Sequence, residues 1–295
     1  MEPSTDRRVA TSDGRTLRVV EVGAPDDAVL VVHHGTPGAG RLYRCEVESA
    51  ARLGLRLVAY DRPGYGGSTP HRGRTVAAAA DDVAAILDAL AIERFATYGW
   101  SGGGPHALAC AALLGDRCVA AATIAGVGPA DAADLDWLAG MGEGNIAEVA
   151  AARAGRKRLT EYCRADAEEV IATTPEQLAD AWRPHLSDVD ARALTGEFAA
   201  FVLDETIVGL RPGVEGWVDD DYAFLGPWGF DVERLAVDVL VWQGDQDLMV
   251  PASHGHWLRE HVAGADGGIV PGEGHLTLFI NRIGDVHAWL QQRLA

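Results

Sequence analysis

The residues Gly99-Trp100-Ser101-Gly102-Gly103 are the most informative about the fold. They fit the pattern G-x-S-x-G and lie between a predicted strand, 94–99, and a predicted helix, 103–114. A serine on a sharp strand-to-helix turn is sterically crowded, so it needs small neighbours, and the turn presents its hydroxyl at the edge of the sheet. The free N–H groups at the start of the helix then point at negative charge that develops beside the hydroxyl. In this setting the pattern predicts that Ser101 is a nucleophile.

Predicted strands and helices alternate on both sides of this turn. Residues 28–33 form a short, continuous apolar run, as expected of a strand that is buried on both faces of a sheet. The predicted strands are 16–22, 28–33, 55–60, 94–99, 119–125, 237–243 and 268–270, and the predicted helices are 42–53, 76–90, 103–114, 252–262 and 283–294. This alternation predicts an α/β fold with a mostly parallel central sheet and helices on both faces. Functional residues of such sheets collect in the loops beyond the carboxyl ends of the strands.

A long interruption separates the fifth predicted strand from the sixth. It has no apolar run typical of a buried strand, and its helical segments are 143–158, 165–173, 175–181 and 188–203. It also holds four of the eight tryptophans and four of the six phenylalanines. We predict a helical cap over residues 128–230, inserted into a core of residues 1–127 and 231–295. An ordinary helical layer with its own small core accounts equally well for most of these aromatic residues.

Composition and charge restrict the class of protein. The 295 residues are 48% hydrophobic and 23% charged, as in globular proteins, and they suffice for one large α/β domain with an insertion. The formal net charge of −18 argues against nucleic acid or an anionic membrane as a partner. No apolar run approaches the length of a membrane span, so none is predicted.

The N-terminal residues and the cysteines favour a cytoplasmic location. Residues 1–8 lack the apolar stretch of a secretory signal, although a mature chain that had lost its signal would look the same. The four cysteines are widely spaced and form no CxxC pair: Cys45, Cys110, Cys118 and Cys163. We therefore expect free, buried thiols in a reducing compartment rather than disulfides or a metal site.

A serine hydroxyl is a poor nucleophile unless a base removes its proton. Among the ten histidines, His275 stands out because it follows the last short predicted strand in a glycine-flanked loop. A carboxylate must orient its imidazole, and both Asp245 and Asp247 follow the predicted strand 237–243. The chain order Ser…Asp…His fits this fold class, but the residues alone leave both aspartates open.

Hydrolysis through a tetrahedral intermediate also needs two N–H donors for the oxyanion. The N–H of Gly102, just after the predicted nucleophile, is one candidate. The other comes from the loop after the predicted strand 28–33, where Pro37 has no N–H and Thr36 is the natural donor. The adjacent His34 is expected to fix this loop, because no further ligands at usable spacing support a metal site there.

Four motifs, in this order, resemble the α/β-hydrolase superfamily over nearly the whole chain. They are His34-Gly35-Thr36-Pro37, Asp61-Arg62-Pro63-Gly64-Tyr65-Gly66-Gly67-Ser68, Gly99-Trp100-Ser101-Gly102-Gly103, and Gly244-Asp245-Gln246-Asp247 with Gly274-His275. The resemblance implies an α/β-hydrolase fold with a helical cap and a triad of Ser101, Asp247 and His275. Asp247 is favoured because the acid of this family stands three residues after the glycine. The resemblance also implies an oxyanion hole made by the backbone N–H groups of Thr36 and Gly102.

The same resemblance sets some relatives aside. Epoxide hydrolases and haloalkane dehalogenases of this fold use an aspartate nucleophile, whereas position 101 is serine. Proline-iminopeptidase-like members usually carry G-G-S-W-G and H-G-G-P-G, whereas here Trp100 precedes the serine and Thr36 interrupts the earlier motif. We interpret segment 61–68 as structural support without a catalytic role. Six carboxylates of the predicted cap are expected to form a solvated acidic surface rather than a site for a substrate's amino group: Asp204, Glu205, Glu215, Asp219, Asp220 and Asp221.

The leading hypothesis is a serine hydrolase that cleaves a small to mid-sized carboxylic ester, lactone or thioester through an acyl-Ser101 intermediate. The predicted partner is a small-molecule substrate, with no cofactor and no metal, and the oligomeric state is not predicted. The same triad also serves C–C bond hydrolases and aminopeptidases or amidases, because the pocket and not the triad selects the bond. A slow-turnover ligand receptor and an acyltransferase are the alternatives from other functional classes.

Overall fold

A single sheet organises the protein, whose computed structural model describes residues 4–295. Its strands are β1 (Thr5–Ala10), β2 (Thr16–Val22), β3 (Ala28–His33), β4 (Leu55–Tyr60), β5 (Phe95–Trp100), β6 (Cys118–Ile124), β7 (Asp238–Gly244) and β8 (Asp266–Val270). Their order in space is β1-β2-β4-β3-β5-β6-β7-β8. β2 pairs antiparallel with β1 and β4, and every later pair is parallel. The predicted, mostly parallel sheet is confirmed.

Helices cover both faces of this sheet. They are α1 (Arg44–Leu53), α2 (Ala78–Ala89), α3 (Gly103–Leu113), α4 (Glu143–Arg153), α5 (Arg156–Ala172), α6 (Leu178–Ala181), α7 (Asp188–Ala193), α8 (Gly196–Gly209), α9 (Glu215–Leu225), α10 (Ala252–His261) and α11 (His275–Leu294). One buried cluster joins the sheet to α2, α3 and α10, and a second joins its other face to α1 and α11. Because helices bury both faces of the sheet, central strands such as β3 are apolar at nearly every position.

The long interruption contains α4 to α9, all between β6 and β7. The predicted helix 143–158 is wrong in extent, because the chain breaks at Gly155, whose φ of 111° no helix allows. The predicted helix 188–203 is likewise divided before Gly196, which has a φ of 55°. Helix α9 was not predicted. The division into a core and a cap at 127/128 and 230/231 stays a prediction.

Two further elements differ from the predictions. β1 was not predicted, because its residues are mostly polar and exposed, as suits an edge strand. The last helix begins at His275, eight residues before the predicted start, so His275 lies in a helical first turn and not in a loop. No helix within residues 4–295 is both long and apolar enough to cross a membrane. The four cysteines are free thiols, of which only Cys45 is partly exposed.

Candidate active site

Ser101 lies on the tight turn between β5 and α3. Its φ is 55°, in the left-handed region that an ordinary side chain rarely adopts, and its N–H donates to Ile124 O at 2.9 Å. The neighbouring glycines are required, because a Cβ at Gly99 would collide with the Gly103 carbonyl and one at Gly103 with the His33 carbonyl. The G-x-S-x-G stretch therefore forms the strand-to-helix turn that its sequence predicts.

Two backbone N–H groups stand beside this turn. Within residues 4–295, the N–H groups of Thr36 and Gly102 donate to no protein acceptor. The two loops touch, since a Cβ at Gly102 would collide with Thr36 Oγ1. Free, adjacent N–H donors at the start of a helix can stabilise an oxyanion. The arrangement suits the predicted oxyanion hole, whose role stays a prediction.

His275 and Asp247 form a buried pair at the carboxyl end of β7. His275 Nδ1 lies 2.8 Å from Asp247 Oδ2. The Asp247 carboxylate also accepts hydrogen bonds from Gln243 Nε2 at 2.9 Å and from the N–H groups of Met249 at 2.9 Å and Val250 at 2.8 Å. These donors fix the carboxylate, and the carboxylate in turn fixes the orientation of the imidazole.

The surroundings of His275 favour its charged form. Burial by itself lowers the pKa of His275, but the charge of Asp247 and the hydrogen bond outweigh burial and raise that pKa above 6.5. The competing Asp245 is exposed and accepts a hydrogen bond from the Gly272 N–H at 2.7 Å instead. Of the two aspartates that the residues left open, the structure pairs only Asp247 with His275.

Ser101 and His275 are linked through Trp100. The Trp100 and His275 rings pack with centroids 5.5 Å apart, and Trp100 Nε1 donates to His275 O at 3.2 Å. In the part of the chain that the structure describes, no hydrogen bond joins Ser101 Oγ to the imidazole. Hydrogen bonds of this kind often tighten only when substrate is bound.

Arg62, in the segment 61–68 that we interpret as structural support, holds the loop of residues 34–36. Its guanidinium is buried and donates to the carbonyls of His34 and Gly35 and to Thr36 Oγ1. His34 Nε2 accepts the Arg62 N–H at 3.0 Å, and His34 Nδ1 lies 2.7 Å from Gly35 O. His34 therefore fixes its own loop, as predicted from the sequence.

Asp220, from α9, contradicts the predicted solvated acidic surface. It is fully buried and accepts from Arg62 and Arg74 at 2.7 Å each and from Tyr65 and Thr36 at 2.9 Å each. Burial alone raises its pKa, but the two guanidinium groups outweigh burial and lower it well below the usual range. No sequence signal marks this contact, because Arg62 and Asp220 are 158 positions apart.

The other five carboxylates of that predicted surface differ from one another in exposure to solvent. Glu205 and Asp219 are buried, Asp221 is half-buried, and only Asp204 and Glu215 are exposed. Residues of an amphipathic helix alternate between core and solvent every few positions, so a run of carboxylates in sequence does not stay on one face.

A cavity of about 160 Å³ opens beside Ser101 and extends under the helices between β6 and β7. Its wall includes Ser101, Gly102 and Thr36. The aromatic side chains that line it are Trp137, Trp182, Trp217 and Phe224. This arrangement fits a partly apolar small molecule held against the serine.

Three carboxylates also line this cavity: Glu148, Asp166 and Asp221. Burial raises the pKa of Glu148 to about 7, and burial together with the nearby Glu148 raises that of Asp221. Trp217 Nε1 donates to Glu148. The carboxylate oxygens of Glu148 and Asp221 lie within 4.8 Å of each other, so an ionised Glu148 disfavours ionisation of Asp221.

Comparison with known proteins agrees with this architecture. A family model described as alpha/beta hydrolase fold matches residues 28–281. The bifunctional esterase/perhydrolase DCH of Acinetobacter calcoaceticus is 33% identical over 123 residues, which cover 41% of this chain and 45% of that protein. Epoxide hydrolase A of Mycobacterium tuberculosis is 32% identical over 129 residues, 42% of this chain and 39% of that protein.

Each of these matches thus spans less than half of the relative. Among solved structures, a thermophilic esterase from Thermogutta terrifontis superposes with a TM-score of 0.68 at 20% identity, over 99% of this chain and all of that one. At this identity the superposition establishes the fold alone.

Proposed function

The chain belongs to the alpha/beta hydrolase fold family, and on that premise we propose that it is a serine hydrolase of carboxylic esters, lactones or thioesters. The observation that supports the proposal is the strained turn at Ser101, a serine and not an aspartate, in the wall of a cavity. Thr36 and Gly102 line the same cavity, and within residues 4–295 their N–H groups donate to no protein acceptor. An aspartate at this position would favour the epoxide-hydrolase chemistry of some relatives. The buried pair of Asp247 and His275 supplies the base that a serine requires.

In the proposed reaction, Ser101 Oγ attacks the carbonyl carbon while His275 Nε2 takes the hydroxyl proton. The N–H groups of Thr36 and Gly102 hold the oxyanion of the tetrahedral intermediate. The intermediate collapses, the imidazolium gives its proton to the departing alcohol or thiol, and acyl-Ser101 remains. Water then attacks the acyl carbon while His275 takes one of its protons. The second tetrahedral intermediate collapses, the imidazolium returns the proton to Ser101 Oγ, and the acid leaves. Asp247 stabilises the imidazolium in both steps, and no step draws on a metal or cofactor.

The test is intact-mass analysis after treatment with a fluorophosphonate probe. We expect one adduct on the wild type and none on Ser101→Ala or His275→Ala. Ser12→Ala, which changes an exposed serine between β1 and β2, is the matched control and keeps the adduct. No adduct on a folded wild type contradicts the proposal and favours a ligand receptor. Product analysis with added alcohols or amines then separates hydrolysis from acyl transfer.

A second candidate is hydrolysis of an ester or amide whose substrate carries an amino group. The carboxylates of Glu148, Asp166 and Asp221 favour it, because they stand in the same cavity as Ser101. We expect Asp166→Asn to raise KM for alanine p-nitroanilide and to leave KM for p-nitrophenyl acetate unchanged. Asp180→Asn, an exposed neighbour in the same region, is the control. Equal effects on both substrates contradict this candidate.

A further inference from the structure

The helix that begins at His275 is capped by a side chain from a distant part of the chain. The first N–H groups of any α-helix have no partner inside the helix. The residue before this helix is Gly274, which has no side chain that could accept them. The Gly274 N–H donates to Thr277 Oγ1 at 2.7 Å, so the next three N–H groups need an acceptor from elsewhere.

Asp190, from α7, accepts all three. Its Oδ2 accepts the N–H of His275 at 2.8 Å, and its Oδ1 accepts those of Leu276 at 2.8 Å and Thr277 at 3.0 Å. The Ser187 hydroxyl donates to Oδ2 at 2.9 Å, and the carboxylate is fully buried. Charge-assisted hydrogen bonds from this many donors fix both the carboxylate and the backbone of the first helical turn.

Gly274 makes this approach possible. A Cβ at position 274 would collide with the Asp190 carboxylate. Gly274 is therefore needed for more than the geometry of the turn, because only a residue without a side chain leaves room for Asp190 of α7.

We propose that Asp190 is a positioning residue for His275, which holds the backbone beneath the imidazole and places a second negative charge near it. The inference rests on the proposed function, in which His275 is the base. Asp247 fixes the ring at Nδ1, and Asp190 fixes the peptide that carries the ring. Both restraints are needed for rate, because small errors in the placement of a catalytic group cost large factors in catalysis.

The electrostatic part of the inference distinguishes Asp190 from an ordinary helix cap. The charged groups that act on the His275 ring are Asp247, from the loop after β7, and Asp190, from α7, while the adjacent Trp100 is uncharged. Burial lowers the pKa of His275 and both carboxylates raise it. Loss of the Asp190 charge therefore lowers this pKa, whereas loss of a purely structural cap leaves it unchanged.

The test is Asp190→Asn, which keeps the shape of the side chain and removes its charge. NMR titration of the His275 ring, assigned with His275→Ala, gives its pKa independently of activity. The pH dependence of kcat/KM for p-nitrophenyl acetate gives the pKa that controls turnover. We expect both pKa values to fall by about 0.5 to 1 unit. We also expect kcat at the plateau to fall about tenfold, with KM changed less than about twofold.

Asp188→Asn is the matched control, because Asp188 is an exposed carboxylate on the same helix and pairs with Arg183. It should leave kcat and both pKa values unchanged. Asp190→Glu retains the charge, so the pKa of His275 should stay near that of the wild type. If Asp190→Asn does not fold, Asp190→Ser serves as a second uncharged variant with the same expected shift.

The inference is overturned if Asp190→Asn or Asp190→Ser folds and its His275 has the same pKa as in the wild type. Asp190 is then only a helix cap, even if kcat falls. Failure of the proposed function looks different. If the wild type neither reacts with a fluorophosphonate nor hydrolyses the ester, but the NMR pKa falls in Asp190→Asn, the action of Asp190 on His275 stands and the hydrolase proposal fails.

Discussion

Carboxylates around the candidate site differ in their partners and in their burial, and both decide their chemistry. Asp247 faces an imidazole, Asp220 faces two guanidinium groups, and Glu148 faces another carboxyl group. An opposite charge favours the ionised form of a carboxylate and a like charge disfavours it. Burial raises the pKa of Asp247, and the charge and hydrogen bond of His275 oppose that rise. Asp247 is therefore suited to stabilise an imidazolium, whereas burial raises the pKa of Glu148 to about 7.

Replacement of Asp247 should remove most of the activity. Asp247→Asn keeps the shape of the side chain but loses the charge that stabilises the imidazolium and selects its tautomer. We expect kcat/KM for p-nitrophenyl acetate to fall about 10³- to 10⁴-fold. Asp245→Asn, which changes the exposed neighbour, should lower kcat/KM less than about threefold. Equal losses in the two variants would contradict the assignment of Asp247.

The acid limb of the pH–rate profile should lie above 6.5, the ordinary pKa of histidine. Burial lowers the pKa of His275, but the charge of Asp247 and its hydrogen bond raise this pKa by more than burial lowers it, so the net shift is upward. A general base acts only in its neutral form, so kcat/KM is lost as the pH falls through this raised pKa. Stopped assays with p-nitrophenyl acetate from pH 5 to pH 9 measure the limb. A midpoint below 6.5 would contradict the assigned environment.

At the scale of secondary structure, the turn between β5 and α3 could be predicted because its cause is local. An apolar run, small residues and a helical pattern follow one another within residues 94–114. The start of α11 could not be predicted in this way. Its cap is Asp190, 85 positions earlier in the chain, and the adjacent glycines favoured a loop. β1 was missed for a different reason, because a polar edge strand has no periodic apolar face.

The contact between Thr36 and Gly102, the residue before α3, gives a prediction at this scale. A Cβ at position 102 would collide with Thr36 Oγ1 and approach Phe224 Cζ to 3.0 Å. We expect Gly102→Ala to displace the Thr36 loop and to lower kcat about 10²-fold, the loss typical of one oxyanion donor. Gly115→Ala is the control, because its new Cβ meets only Ala111 O at 3.7 Å. Circular dichroism checks that both variants fold, and an unchanged kcat in Gly102→Ala would contradict the predicted oxyanion hole.

At the scale of the whole molecule, carboxylates from the segment between β6 and β7 hold both sides of the site. Asp190 caps the helix that carries His275, and Asp220 holds the Thr36 loop through Arg62. The alternation of apolar runs and helical patterns predicted the sheet, and the G-x-S-x-G motif predicted the turn, because both signals lie in adjacent residues. The triad of Ser101, Asp247 and His275 stays a prediction. The contacts of Asp190 with His275 and of Asp220 with Arg62 could not be predicted. In each of them a single carboxylate binds a residue more than 80 positions away in the chain.

The buried charge network around Asp220 should dominate stability. Asp220→Asn leaves Arg62 buried without its counter-charge and Arg74 with only the Asp219 carboxylate at 3.7 Å. We expect the free energy of unfolding to fall by about 3–5 kcal/mol. Asp204→Asn removes an exposed pair with Arg41 and should cost less than about 1 kcal/mol. Urea unfolding at pH 7 measures both.

The pH dependence of this stability has a defined sign. Burial raises the pKa of Asp220, but the guanidinium groups lower it well below its ordinary value of 3.8 in the folded protein. A depressed carboxyl pKa stabilises the folded state above the unfolded pKa, and this stabilisation is lost as the pH falls below it. The difference in unfolding free energy between the wild type and Asp220→Asn should therefore shrink as the pH falls from about 5 towards 2. A difference that stays constant over this range would show that Asp220 acts through packing and not through its charge.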